Sequence, residues 1–328
     1  MTRVHSRRHY RTVLILIAIL VLRFGASSTA RAWGCEGHQI VAYVAEAHLH
    51  PHARAMALKI LAASPIDPTL SRYCQPRSND LFADASTWAD DIRSVRQETT
   101  AWHFIDIPRS AHAGSIAPYC PPTTGCVVSA LGAQLRILKN AHSSPAARAD
   151  ALRFIIHFVG DIHQPLHDAT NNDEGGNCVP VEFFGKLPKE TDAARESFNP
   201  ELHWVWDVGI IEHFDGGESP ESVARDLDHE FHAEISFWES QPADFTAWAW
   251  ESHALADSVA YDKLPHAIPV EPPRAISSCA DDNHVALRML RLHENLGDAY
   301  QSAAAPAVQQ QLAKAGARLA ALLNSLWP

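Results

Sequence analysis

Two histidine–aspartate pairs with the same four-residue spacing are the residues of this sequence best suited to bind a metal. His157 and Asp161 lie in the run Phe-Ile-Ile-His-Phe-Val-Gly-Asp, which is otherwise apolar. On an α-helix, a spacing of four places both side chains on one face. Burying a carboxylate and an imidazole in an apolar wall is costly unless a partner such as a cation satisfies them. His203 and Asp207 repeat the spacing beside Trp204, and we therefore predict a buried, multinuclear metal site.

Several other histidines and aspartates have aromatic or aliphatic neighbours that would bury them. His103 lies in Trp-His-Phe, and Asp90 lies in Trp-Ala-Asp. Catalytic zinc sites use imidazole nitrogens and carboxylate oxygens, and they keep one position open for water. The candidates exceed what one ion can bind, which indicates two or three ions. The candidate ligand side chains are His38, Asp90, His103, His157, Asp161, His167, His203 and Asp207.

Residues 1–32 have the features of a cleaved export signal. Four arginines precede the apolar run from Val13 to Leu22, and Ala30-Arg31-Ala32 is a small-x-small cleavage site. The apolar run is too short to span a bilayer as an anchor. Cleavage would leave a chain that begins at Trp33, and the loss of six arginines would lower the formal net charge from −11 to −17. We expect a secreted or periplasmic protein without stable membrane association after cleavage.

The cysteines and the charge indicate the compartment and limit the partners. All six cysteines follow residue 32, and an even count after an export signal is typical of disulfides in an oxidising compartment. Cys120 and Cys126 bracket a short loop and are the pair we predict, whereas the pairing of the other four stays open. An acidic chain repels nucleic acid at long range, so a polyanionic substrate would need a local positive charge, which metal ions can supply.

Helical periodicity dominates the chain after residue 32. Two segments differ from it: residues 100–108 are aromatic and β-branched, which predicts an extended segment, and residues 179–184 resemble a short strand, half of a hairpin. No linker, repeat or charge block marks a boundary, and we predict a mainly α, single-domain multi-helix fold with a small β-hairpin over residues 33–328. Helical spacing is found at 36–62, 80–93, 127–142, 146–163, 201–214, 219–239, 242–262 and 283–326, with breaks expected at Gly297 and Pro306.

Seven motifs in order make this sequence resemble the S1/P1 nuclease family, which comprises zinc-dependent secreted nucleases related in fold to bacterial zinc phospholipase C. The resemblance implies the mainly α fold of that type. The motifs are Trp33-Gly34-x-x-Gly37-His38, Trp88-Ala89-Asp90, Trp102-His103-Phe104-Ile105-Asp106, His157-x-x-x-Asp161-x-His163-Gln164-Pro165-x-His167, Gly175-Gly176-Asn177, Phe183-Phe184-Gly185 and Leu202-His203-x-x-Trp206-Asp207.

The resemblance implies three zinc ions and assigns their ligands residue by residue. One member of the set is the free amino group and carbonyl of Trp33, so cleavage after residue 32 would complete the metal site. The implied sets are Asp90, His103, His157 and Asp161 for one ion; Trp33, His38 and the bridging Asp161 for its neighbour; and His167, His203 and Asp207 for the third.

The resemblance also implies a reaction and a substrate class. A monomer would hydrolyse single-stranded DNA and RNA to 5′-phosphate products, and would remove 3′-phosphates from 3′-nucleotides, through a hydroxide that bridges two zinc ions beside Asp161. Arg93 matches a family arginine near the phosphate. Phe104 matches an aromatic residue on which a base stacks, and Asp106 matches a carboxylate that orients water or substrate. Glu201 departs from the asparagine that the family often carries there, which leaves that substrate contact open.

Two other functions use the same residues. One is a zinc phospholipase C-like phosphodiesterase, and the other is a secreted zinc-binding protein without catalysis. The motifs Phe104-Ile105-Asp106 and Gly175-Gly176-Asn177 favour the nuclease over the phospholipase.

Overall fold

Helices make up most of the computed structural model, which describes residues 33–75, 77–281 and 284–328. The predicted export signal at 1–32 lies outside the described residues. The described part contains thirteen α-helices and four short strands, so the mainly α class is confirmed. Within these residues, no helix combines the length and the apolar character that a membrane span requires.

The helices begin and end close to the predicted segments. The segments at 36–62, 80–93, 219–239 and 283–326 are each two helices, and 201–214 is two short helices joined by a π-helical turn. In the first half they are α1 (Cys35–His48), α2 (Pro51–Ala62), α3 (Leu81–Ser86), α4 (Trp88–Ile92), α5 (Val127–Lys139) and α6 (Pro145–Asp161). In the second half they are α7 (Leu202–Trp204), α8 (Ile210–Phe214), α9 (Pro220–Glu230), α10 (His232–Ser240), α11 (Phe245–Leu255), α12 (Val285–Leu292) and α13 (Asp298–Leu326). Shorter helical turns lie at Gln97–His103, Ala117–Tyr119, Pro165–His167, Val205–Gly209, Ala256–Tyr261 and Cys279–Asp281.

Helix α6 is the centre of the fold. Ser144 caps its first turn by accepting a hydrogen bond from the amide of Ala147, and Pro145 occupies its first position. Every residue from Ala151 to Asp161 is buried, as expected for a helix that is apolar on all sides. Helices α1 to α5 and α13 all pack against it. The polar residues of α6 are therefore held at the middle of the protein.

The β-structure consists of two separate strand pairs. Strands β2 (Lys189–Asp192) and β3 (Ser197–Asn199) form the small antiparallel hairpin. Strand β1 (Glu182–Phe183) instead pairs in parallel with β4 (Asn295–Leu296). The strand expected within 179–184 thus exists. Its end forms a tight hairpin turn, since Phe183 makes an antiparallel bridge with Lys186 around Phe184 and Gly185, but its main partner is the distant strand β4. Its partner lies about 110 residues further along the chain, where local sequence gives no sign of it.

Two local predictions are wrong, the first of them only for residues 100–103. Residues 97–103 form a 3₁₀ helix and only Phe104 begins the extended chain, because Thr99 bonds the carbonyl of Arg96 through both its amide and its hydroxyl. Pro306 lies inside α13 and does not break it. Burial of Ala304 and Val308 on either side keeps the helix continuous despite the local cost of about 3 kcal/mol. The break at Gly297 is confirmed, since Gly297 caps α13.

Three disulfides are present in the described residues. Cys120 pairs with Cys126, as predicted. The other pairs, which the sequence left open, are Cys35–Cys74 and Cys178–Cys279. The first ties α1 to the loop before α3, and the second ties two distant loops together. Three disulfides are typical of a protein from an oxidising, extracellular compartment.

We expect Gly316→Ala to destabilise the fold, because α13 approaches α1 very closely there. An added Cβ at Gly316 would lie 2.5 Å from Cβ of Val44 and 3.0 Å from the carbonyl oxygen of Val41. Overpacking of this kind costs about 1–3 kcal/mol of unfolding free energy, measurable by denaturant titration. The control is Gly132→Ala on α5, where the new Cβ would meet only the Arg136 side chain at 3.7 Å and should stabilise by about 0.4–1 kcal/mol. Equal effects of the two changes would contradict the close approach.

Candidate metal centre

Five buried side chains from four parts of the chain meet beside the C-terminal half of α6. Helix α6 supplies His157 and Asp161, α1 supplies His38, the short α4 supplies Asp90, and His103 ends the 3₁₀ helix. All five are at most 8% exposed. We call this group the inner cluster: His38, Asp90, His103, His157 and Asp161.

Asp161 lies at the middle of the inner cluster. Its Oδ2 is 3.0 Å from Nδ1 of His103 and 3.3 Å from Nε2 of His157. Its Oδ1 is 3.4 Å from Nε2 of His38. Asp90 lies further out, with its Oδ1 3.8 Å from Nδ1 of His103. The two oxygens of one carboxylate thus face different imidazoles, which is the arrangement that a bridging metal ligand requires.

Backbone contacts orient the imidazoles of the inner cluster. Nδ1 of His157 donates to the carbonyl oxygen of Ser86 at 2.7 Å, and this leaves Nε2 to face Asp161. The ring of His38 stacks on the ring of His157 with centroids 3.8 Å apart. Metal-binding histidines commonly use one ring nitrogen for the ion and the other for such a carbonyl.

The inner cluster fits a metal ion because hydrogen bonds leave several of its polar atoms unsatisfied. Both ring nitrogens of His38 and both carboxylate oxygens of Asp161 are buried and make no well-formed hydrogen bond; the atoms nearest the Asp161 oxygens are imidazole nitrogens of the same cluster. Burial raises the pKa of Asp161 to about 7 and lowers that of His38. Each unsatisfied buried group costs about 1–3 kcal/mol, and a bound cation would remove that cost. Nitrogen and oxygen donors of this kind suit zinc.

A second group of three buried side chains, His167, His203 and Asp207, forms what we call the outer cluster. Nε2 of His203 is 3.2 Å from Nε2 of His167 and 3.2 Å from Oδ2 of Asp207. Nδ1 of His167 donates to the carbonyl of His103, and Nδ1 of His203 donates to the carbonyl of Gly175. Both Nε2 atoms are therefore turned toward each other, as ligands of one ion would be. The bond to His103 makes the two clusters direct neighbours.

A cavity of about 220 Å³ joins the two clusters, and we call it the metal cavity. Arg93, Phe104 and Asp106 line it beside His103 and His203. Arg93 is buried, and its Nη2 lies 2.9 Å from Oδ1 of Asp90. The family resemblance predicts that these three residues lie near the substrate, and the fold brings them to the cavity that adjoins the candidate ligands.

Trp33 lies against the inner cluster. Its side chain is fully buried, and its indole N–H donates to the carbonyl oxygen of Gly160 at 2.8 Å. A Cβ built on Gly160 would be 3.6 Å from Cδ1 of Trp33 and 2.8 Å from Nδ1 of His38. Trp33 and His38 are therefore neighbours on the same side of α6.

Several residues at the site have no function predicted from the sequence. Gln164 donates to Oδ1 of Asp207 at 2.6 Å, and its place in the His163-Gln164-Pro165 motif was the available signal. Glu174 and Ile276 line the metal cavity, and no local pattern marks them. His163 lies outside both clusters: its Nδ1 donates to the carbonyl of Val159, and its Nε2 contacts Arg318.

Comparison with known proteins identifies the family. The family model S1/P1 Nuclease matches residues 33–328. Nuclease P1 of Penicillium citrinum is 28% identical over 313 residues, which cover 90% of this chain and 97% of the relative. Endonuclease 2 of Arabidopsis thaliana is 26% identical over 338 residues, which cover 98% of this chain and 99% of the relative. Nuclease S1 of Aspergillus oryzae is 28% identical over 215 residues, covering 64% and 65%. The chain belongs to the S1/P1 nuclease family.

Proposed function

We propose that this protein is a zinc-dependent phosphodiesterase that hydrolyses single-stranded DNA and RNA to 5′-phosphate products and removes 3′-phosphates from nucleotides. The observation that carries the proposal is the joining of two buried His/Asp clusters by one cavity that also contains Arg93, Phe104 and Asp106. The guanidinium of Arg93 and the ring of Phe104 line the same cavity. That combination suits a nucleotide, which carries a phosphate and a base on one sugar.

Three zinc ions would be held by the residues of the two clusters together with Trp33. The inner cluster and the amino group and carbonyl of Trp33 supply ligands for two ions, with Asp161 shared between them, and the outer cluster supplies ligands for the third. Bound zinc polarises a phosphoryl oxygen and lowers the pKa of water toward neutrality. The carbonyls of Ser86, His103 and Gly175 hold the rings in place before substrate arrives.

Arg93 binds the phosphate and stabilises the charge that develops on it. The guanidinium carries a permanent charge and can donate two parallel hydrogen bonds to phosphate oxygens. Its contact with Asp90, 2.9 Å from Nη2 to Oδ1, fixes the side chain at the cavity wall. Because the guanidinium is already in position, little free energy is spent on rearranging it during the reaction.

Phe104 and Asp106 orient the nucleoside. Phe104 offers a ring face on which any base can stack, a contact that is tolerant of sequence. The carboxylate of Asp106 accepts hydrogen bonds from the base or from a water molecule beside the phosphate. A base can reach Phe104 only when it leaves its neighbours in a duplex, which costs a few kcal/mol. The site therefore favours single strands.

The disulfides and the ligand set support a secreted or periplasmic monomer. Three disulfides suit a secreted or periplasmic protein, and cleavage after residue 32 would release the chain with Trp33 at its start. All nine candidate ligands come from one chain, so a monomer has a complete site.

Chelation with substrate comparison tests the proposal. We expect the protein to cleave single-stranded DNA faster than the same sequence as a duplex by more than about tenfold. Chelation should abolish cleavage, and added zinc should restore it. Activity on phosphatidylcholine alone would indicate the phospholipase C-like enzyme instead. Stoichiometric zinc without hydrolysis of either substrate would indicate a zinc-binding protein, and both results would overturn the nuclease proposal.

A further inference from the structure

The metal cavity continues into a larger neighbouring space, which we call the second cavity. It has a volume of about 520 Å³, within the range of small-molecule binding sites. The two cavities share Phe104, Asp106, Glu174 and Ile276. None of the candidate metal ligands lines the second cavity. A ligand that fills it would therefore touch Phe104 without touching the metal clusters.

One wall of the second cavity is the loop that the Cys120–Cys126 disulfide closes. Tyr119 lines the cavity from the helical turn that ends directly before Cys120, and its ring packs edge-on against Trp250, with centroids 6.5 Å apart. The indole N–H of Trp102 donates to the carbonyl oxygen of Thr124 at 3.1 Å. The disulfide and these two contacts fix an irregular loop, so Tyr119 is held in place before any ligand binds.

The other wall is residues 265–278, which we call the strap. The strap has no regular secondary structure up to residue 276, and Arg274 and Ile276 line the cavity from it. Two consecutive asparagines, Asn171 and Asn172, hold it, and each side chain donates to one strap carbonyl and accepts from one strap amide at 2.8–2.9 Å. The strap residues bonded in this way are Pro269, Glu271, Pro272 and Arg274.

The strap is therefore a positioned wall of the cavity. Asn171 and Asn172 are each 5% exposed, and breaking their bonds would leave buried amide groups unsatisfied. The Cys178–Cys279 disulfide joins the far end of the strap to the same loop that carries Glu174. Four hydrogen bonds and a covalent link hold a proline-containing segment that has no packing core of its own. Such pre-organisation reduces the entropy that ligand binding must overcome.

The residues of the two walls suit a nucleotide. Tyr119 offers an aromatic ring for a base. Arg274, whose Nη1 donates to the carbonyl oxygen of Asp281 at 3.0 Å, offers its positive charge to a phosphate. Arg274 supplies the positive charge that a polyanion needs here, because the chain is acidic and the carboxylates of Asp106 and Glu174 also line this cavity.

We propose that the second cavity binds the next nucleotide of a single-stranded substrate, on the side of the Phe104 nucleotide that faces away from the phosphate at the metal clusters, so that a trinucleotide fills it and a dinucleotide does not. This inference rests on the proposed nuclease function, and it adds that kcat/KM depends on the length of the substrate.

Length-dependent kinetics test the second cavity. For the wild type, kcat/KM should rise from a dithymidylate to a trithymidylate by about 5- to 100-fold, the effect of one stacked base. Tyr119→Ala and Arg274→Ala should each remove most of that gain and leave kcat/KM on the dithymidylate and on a 3′-mononucleotide within about twofold of the wild type. The matched control is Val270→Ala, which is on the strap and 48% exposed but does not line the cavity. It should change nothing.

Salt dependence separates a phosphate contact from a loss of folding. Because a single-strand phosphate contact contributes a slope of about 0.7, Arg274→Ala should reduce the slope of log KM against log salt by that amount, and Tyr119→Ala should not. Unchanged thermal unfolding would show that both variants are folded. A wild type that gains nothing from a third nucleotide, or variants that lose equally on mononucleotide and trinucleotide, would overturn the second-cavity proposal. A wild type that cleaves none of these substrates would refute the nuclease function itself.

Discussion

We expect Asp161→Asn to lose nuclease activity and tightly bound zinc together. The fall in kcat/KM should exceed about 100-fold, because changes at residues that only support metal ligands cost up to about 100-fold. In the fold, Oδ2 of Asp161 faces His103 and His157, and Oδ1 faces His38. Asparagine keeps the size of the side chain but replaces one of these oxygens with an N–H donor. A side chain with one oxygen cannot bridge two ions.

The measurement is zinc content per chain, by elemental analysis, alongside cleavage of single-stranded DNA. The matched control is Asp150→Asn, the same chemical change on the same helix, where the side chain is part-exposed and bonds Arg153. The control should keep its zinc and its activity. An Asp161→Asn protein that retained full zinc and full activity would show that Asp161 does not bridge the ions.

The parts of the site that could be predicted from the sequence are those determined by local spacing. His157 and Asp161 are four apart on α6, and their side-chain atoms are 3.3 Å apart in the fold. His203 and Asp207 have the same spacing and a separation of 3.2 Å, although the chain passes there from an α-helical turn into a π-helical turn. Helical periodicity tolerates that irregularity because four residues still return the side chain to one face.

The parts that could not be predicted depend on contacts between distant segments. Phe183 pairs with Leu296, and Cys178 pairs with Cys279. Neither partner can be chosen from sequence spacing, because many pairings satisfy the same local pattern. Ile276 reaches the metal cavity only because the strap is tied back by Cys279 and by asparagine side chains. These walls of the metal cavity therefore could not be predicted from the sequence, whereas the candidate metal ligands could.

The segment at residues 100–108 was predicted correctly in part and wrongly in part. Its aromatic and β-branched composition predicts extended chain, but hydrogen bonds at Thr99 fold the first part into a 3₁₀ helix that ends at His103. The extended chain that follows is tied to the site, since the amide of Ile105 donates to the carbonyl of His167. The motif predicts residues that the fold brings to the clusters and the metal cavity, whereas the local bonds at Thr99 and the contact with His167 determine the backbone around them.

We expect the second large effect from blocking the proposed free amino group of Trp33. A chain that starts at Trp33 should bind three zinc ions, whereas a chain with a Gly-Ser extension before Trp33 should bind fewer and lose activity by more than about 100-fold. The reason is chemical: an extension turns the amine into an amide, whose nitrogen is a poor metal donor. The fold places Trp33 where this matters, buried against Gly160 and next to His38.

The experiment compares one protein before and after removal of a protease-cleavable extension that leaves Trp33 first. Zinc content and activity should both rise on cleavage, while the same Gly-Ser addition after Pro328 should change neither. Trp33→Ala with a free amino group separates the donor from the packing: it should lower the unfolding free energy by about 3–5 kcal/mol through loss of a buried indole, yet keep the amine. If the extended chain already binds three zinc ions and cleaves DNA at the full rate, Trp33 acts by packing alone.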